Sequence, residues 1–155
     1  MDITLRHLLV PTDFSEPSRV AVKYGVAFAE TFRCTLHLLH VLETVTGADP
    51  LALEIPARSS IEVAIEATAW DDLRHVLSHS EQARVRAELA IEWGMPTEEI
   101  LRYAKEHDID LIAMGTHGRG GIGRLLIGSV AEYIVRHARC PALTVHSGER
   151  DFVKS

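Results

Sequence analysis

The chain is short of cysteine, of long apolar runs and of positive charge, and each shortage removes a class of function. Cys34 and Cys140 are the only cysteines and lack C-x-x-C spacing, so they are expected to be small core hydrophobes in a reducing compartment rather than disulfide or zinc ligands. The apolar run nearest the N-terminus, Leu8 to Val10, stops at Pro11, far below the core of a signal peptide or a membrane span. The expectations are a cytoplasmic protein and no membrane partner. Sixteen basic residues against twenty-two acidic ones leave a formal charge of -6, so no overall field draws nucleic acid, and any anion must be held locally. The histidines show no metal-ligand spacing that recurs on a helix face, and no metal ligand set is expected.

What is present, 155 residues with ordinary apolar content, suffices for one compact domain and not for two. Residues 5–10 read as a strand and 11–18 as a turn, after which Val20, Tyr24, Ala27, Phe28 and Phe32 recur at helical spacing as a buried face. A second strand over 35–42 leads through a Pro- and Gly-bearing connection to one long amphipathic helix carrying Ile61, Ile65, Ala69, Leu73, Val76 and Leu77. Residues 84–92 alternate, with Val85, Ala87, Leu89 and Ile91 on the apolar side, which predicts a half-buried strand. Pro96 opens a helix with Ile100, Leu101 and Ala104; residues 110–114 form a strand, 129–137 a helix, and Pro141 to His146 a last strand. The domain is expected over 1–147, with a polar tail over 148–155.

Strands alternating with helices predict an α/β fold, a single-domain open parallel five-stranded sheet with helices on both faces. The first and fourth strands are apolar on both sides and therefore central, while the third has a wet face and suits an edge. The order 3-2-1-4-5 satisfies this and puts a switch point between strands 1 and 4. Asp13 and the glycine-rich stretch after the fourth strand meet there, where open α/β sheets bind ligands.

That stretch, MGTHGRGGIGRLLIGSV from Met114 to Val130, admits three nucleotide-binding patterns. A dinucleotide fingerprint at Gly118, Gly120 and Gly123 starts too late after its strand and lacks the acidic residue that would hold a ribose. A P-loop beginning at Gly118 has Arg124 and Leu125 where Lys and a hydroxyl belong. The third pattern places Gly115 and Gly118 at the end of the fourth strand and Gly128-Ser129 at a helix start, with Ser129-x-x-Glu132 as a capping box. Amides at the loop and the helix start then converge on an anion, with Leu125, Leu126 and Ile127 anchoring the loop between.

This motif, G-x-x-G-x9-G-S, together with VPTDFS, MGTHGRGG and RCPALTV in that order, resembles the ATP-binding branch of the universal stress protein family across essentially the whole chain. The resemblance implies a Rossmann-like, adenine nucleotide alpha hydrolase-like fold, a role as a nucleotide-dependent stress-response or signalling module, and ATP across the switch point. By position Asp13 contacts the ribose or adenine side, Val41 lines the adenine pocket, and Met114 and Gly115 floor it. Gly118, Gly128, Ser129 and Val130 supply phosphate contacts, and Pro11 and Thr12 lie in the same wall. Mg²⁺ is then carried in by the phosphates.

Several residues have plainer readings. Asp13 also suits an Asx turn, with Ser15 the better cap for the first helix. His117 has no identifiable carboxylate to orient it as a general acid, and Arg119 and Arg124 are loop charges that raise the potential near the triphosphate. An ATP-hydrolysing or transferring enzyme is the alternative to a binding module, and it lacks a P-loop Lys, an attacking-water base and an H-x-G-H segment. A phosphoacceptor role for Asp13 lacks an acidic cluster beyond Glu16. The last strand, as the other sheet edge, needs cover, and a homodimer through Pro141 to His146 provides it, as the resemblance also implies.

Overall fold

The structure, a computed structural model, describes residues 2–43, 59–116, 127–146 and 152–153. Five strands, β1 (His7–Pro11), β2 (Thr35–Leu42), β3 (Arg86–Trp93), β4 (Leu111–Gly115) and β5 (Ala142–Val145), alternate with α1 (Glu16–Phe32), α2 (Ser60–Arg74), α3 (His79–Arg84), α4 (Pro96–Glu106) and α5 (Ser129–His137). All pairings are parallel and the order is β3-β2-β1-β4-β5, as the strand composition predicts. Leu8 sits opposite Leu36 on one side and Leu111 on the other. No helix among the described residues is long and apolar enough to cross a membrane.

Alternation along the central strands divides the core in two. Leu8, Val10, Leu36 and Leu38 face α1 and the C-terminal half of α2, packing with Ala21, Val26 and Leu73. Leu9, Leu39, Ile112 and Met114 face α4 and α5, packing with Ile100, Tyr103 and Ile134. Cys34 is buried and Cys140 half-buried, and burial pushes both thiols up, keeping them protonated as core hydrophobes.

The helices depart from expectation in two places. The buried face of α1 is Ser18, Ala21, Val22, Gly25, Val26 and Ala29, with Tyr24 shared, instead of the face through Val20, Ala27, Phe28 and Phe32. Small residues at Ala21, Gly25 and Ala29 let α1 lie close on the sheet, and the larger side chains flank it; Phe32 is exposed. The single long helix expected through Leu77 is broken after Arg74. His75 closes α2, and Ser78 with Glu81 forms a reciprocal capping box that starts α3. Ile61 is 69% exposed and Ile65 40%, so only the last turns of α2 reach the core.

Candidate functional site

The site is built at the carboxyl ends of β1 and β4. The Thr12 amide donates to the Leu39 carbonyl at 2.8 Å, extending the β1–β2 pairing by one residue. The chain then reverses through Phe14, a non-glycine residue at φ 64°. Such a conformation persists only where surrounding bonds impose it. Three hydroxyls and a carboxylate do so. Asp13 Oδ1 accepts the Ser15 amide at 3.0 Å and also the Ser15 hydroxyl. Thr12 Oγ1 accepts the Phe14 amide at 3.1 Å and lies 3.1 Å from Ser18 Oγ, which donates to the Ser15 carbonyl at 2.9 Å. Asp13 thus makes the Asx turn that its plainer reading describes. Ser15 occupies the N-cap position of α1, yet its hydroxyl bonds Asp13 and caps no helix amide.

Below this turn His40, almost fully buried, donates from Nδ1 to the Thr12 carbonyl at 2.8 Å, and its ring lies 4.4 Å from that of Phe14. Sequence reasoning passed over this residue. Its signal was a histidine inside the otherwise apolar run TLHLLHVL. A cavity of about 530 Å³ opens beside the pair, bounded by Leu42, Ile61, Ile65 and Asp72. It lies on the α2 side of the sheet, away from the face that carries Val41.

Three of the expected residues, Val41, Met114 and Val130, lie on the other face. Met114 is buried among the side chains between the sheet, α4 and α5, and Val41 and Val130 pack partly buried against the same cluster. Pro11 is half-buried opposite Leu39. Gly115 ends β4 where α1 begins: a Cβ there would stand 2.6 Å from the Pro17 carbonyl oxygen. Thr116 follows, 1% exposed, its hydroxyl 3.0 Å from His146 Nδ1 and its amide donating to the Val145 carbonyl at 3.1 Å.

The start of α5 is tied to this strand end. The Gly128 amide donates to the Thr116 carbonyl at 2.5 Å, and the Gly128 carbonyl accepts the first helical bond from Glu132 at 2.9 Å. Gly128 is therefore the N-cap, and Ser129 is the first helical residue, exposed, with no side-chain cap. The capping box expected of Ser129 and Glu132 does not form, because the helix begins one residue early. Glu132 pairs instead with Arg136 at 2.8 Å. The amides of Ser129, Val130 and Ala131, in the first turn, have no intrahelical acceptor, and among the described residues no side chain caps them. Ile127, expected to anchor the loop, is 46% exposed. Gly118 and Arg119, with His117, Gly120, Gly123, Arg124, Leu125 and Leu126, lie outside the described residues. Among the described residues no group of three or more His, Cys, Asp or Glu is placed to hold a metal ion.

Known proteins share this fold. The model of the universal stress protein family matches residues 4–146. Universal stress protein MJ0531 of Methanocaldococcus jannaschii is 30% identical over 149 residues, covering 94% of this chain and 85% of its own. The solved structure of universal stress protein UspA from Lactobacillus plantarum superposes with a TM-score of 0.80 at 28% identity, covering 93% of this chain and 99% of its own. A universal stress protein solved in complex with cAMP superposes at 0.69 with 21% identity, covering 94% of this chain and all of its own.

Proposed function

The chain belongs to the universal stress protein family, and from that premise we propose that it binds ATP and works as a nucleotide-dependent stress-response or signalling module. The observation that carries this reading is the uncapped N-terminus of α5. Three first-turn amides sit where the Gly128–Thr116 bond holds them against the carboxyl end of β4. Helix N-termini with orphan amides and a small N-cap residue are anion sites. Phosphates lie over Ser129 and Val130, with Gly118 and Arg119 completing the loop, while Val41, Met114 and Gly115 line the base side and Pro11, Thr12 and Asp13 the ribose side. Mg²⁺ enters with the phosphates, which keep most of its coordination in water.

Calorimetry with ATP tests the reading. Gly128→Val and Gly118→Val place branched side chains where phosphate approaches backbone, and ATP affinity is expected to fall in both while the domain stays folded. Unchanged affinity in both overturns the placement, and an unmutated protein without adenine-nucleotide affinity overturns the function. Turnover is expected to be slow, because amides that hold ground-state ATP as well as its transition state give affinity without rate. Phosphate release at or above about one per second, lost in Gly128→Val, would favour the enzyme.

A further inference from the structure

At the opposite end of the sheet from this site, four aromatic side chains meet on the face that carries α4. His37, on β2, is 2% exposed. Its Nε2 lies 3.1 Å from His7 Nδ1 on β1, and its Nδ1 lies 3.0 Å from the Tyr103 hydroxyl on α4. Glu88 on β3 brings a carboxylate oxygen to 3.6 Å of the same Nδ1, and the His107 ring stands 5.7 Å away, stacked on Tyr103 at 3.8 Å. Asp110 Oδ2 accepts the amides of Arg6 and His7 at 2.8 and 2.9 Å, fixing the start of β1 beneath the pair. Glu92 is the remaining carboxylate that acts on Tyr103.

Only one hydrogen fits between His7 Nδ1 and His37 Nε2. With both rings neutral, one nitrogen donates and the other accepts, and the second nitrogen of His37 completes a bond to Tyr103. One added proton still leaves a donor facing an acceptor across this contact. A second leaves two N–H groups facing each other in a buried space, beside His107. We propose that His7, His37 and Tyr103 form a pH-sensitive latch that holds α4 on the sheet at neutral pH and loosens it on acidification.

Electrostatics give the latch its direction. Burial, opposed by the Glu88 carboxylate and reinforced by His7 and His107, holds His37 below the ordinary histidine value. The unfolded chain then takes up this proton first. Stability is lost as pH falls from about 6.5 toward the folded value, below which the penalty is constant. Loosening concerns α4 first, since Tyr103 is its polar attachment to β2, and reaches Val41 through the strand face that His37 shares with Leu39.

Backbone amide exchange of the full chain without nucleotide, at pH 7.5 and 5.5 and corrected for intrinsic rates, reads the latch apart from any ligand. Protection across α4 is expected to fall severalfold relative to α1 at the lower pH, and His37→Gln, which bridges without titrating, is expected to remove the difference. An α4-to-α1 ratio that ignores pH, or keeps its dependence in His37→Gln, overturns the proposal. Imidazole titration by NMR in the unmutated protein and in His7→Ala gives a second test. His37 is expected to titrate below the ordinary value with a concerted Tyr103 shift, and to move upward in His7→Ala. An ordinary titration with Tyr103 unmoved, or one indifferent to His7→Ala, overturns it.

Discussion

A Cβ built on Gly115 would press on Pro17 backbone, 2.6 Å from its carbonyl oxygen and 2.7 Å from its carbonyl carbon. The glycine is therefore demanded by the crossing of α1 over the end of β4, whatever ligand also uses it. Gly115→Ala is expected to cost about 1–3 kcal/mol, the range for overpacking a rigid contact, measured as a lower urea midpoint without nucleotide. An unchanged midpoint would show that the helix start yields. This packing role was hidden in the sequence, because Pro17 and Gly115 are brought together only by the parallel crossover. Asp13 was half-legible: the Asx-turn signal is local, and the structure forms that turn. His37 and His40 were visible as polar interruptions of a buried strand, but their partners, Tyr103 and the Thr12 carbonyl, come from other elements. A residue's type is written in the chain, and its partner is supplied by topology.

Two Ser-x-x-Glu sequences show the same limit for whole elements. Ser78 and Glu81 form the capping box that begins α3, while Ser129 and Glu132 do not. The difference is the Gly128–Thr116 bond, which starts α5 one residue early and leaves Ser129 inside the helix. Sheet order, by contrast, was legible, because the apolar runs of β1 and β4 and the polar face of β3 follow directly from how many neighbours each strand has. The uncapped α5 start makes a two-sided prediction. Ser129→Asp places a carboxylate on the positive end of the helix, which is expected to stabilise the nucleotide-free protein by about 0.3–1 kcal/mol. The same charge opposes phosphate, and ATP affinity is expected to drop about tenfold or more. Thermal unfolding and calorimetry read the two effects separately, and a variant that gains stability while keeping its ATP affinity would place the phosphates elsewhere.

At the scale of the molecule, the open sheet has two edges of different character. β3 carries Arg86, Glu88 and Glu92, and charge along an edge discourages pairing. β5, Ala-Leu-Thr-Val, has no charge in its strand, which makes it the edge through which a second copy is expected to bind. Its backbone directions follow from the ladder. The Ile112 amide donates to the Pro141 carbonyl at 3.0 Å and the Thr116 amide to the Val145 carbonyl at 3.1 Å. Odd-numbered residues of this strand therefore bond β4, and the amides of Ala142 and Thr144 point outward. Thr144→Pro removes an outward donor without touching the β4 ladder, a position where an edge strand tolerates proline. Light scattering at tens of micromolar, on the order of working concentrations for weak dimers, is expected to find a dimer for the unmutated chain and a monomer for Thr144→Pro, with far-UV circular dichroism unchanged. A monomeric unmutated chain would dismiss the dimer, and a dimeric Thr144→Pro would move its interface off this edge. Thr116 bonds His146 just beyond β5 and Gly128 at the start of α5, so pairing along this edge would brace the strand end that carries the candidate phosphate site. ATP is therefore expected to bind more weakly to Thr144→Pro than to the dimer, although the substituted amide touches no nucleotide.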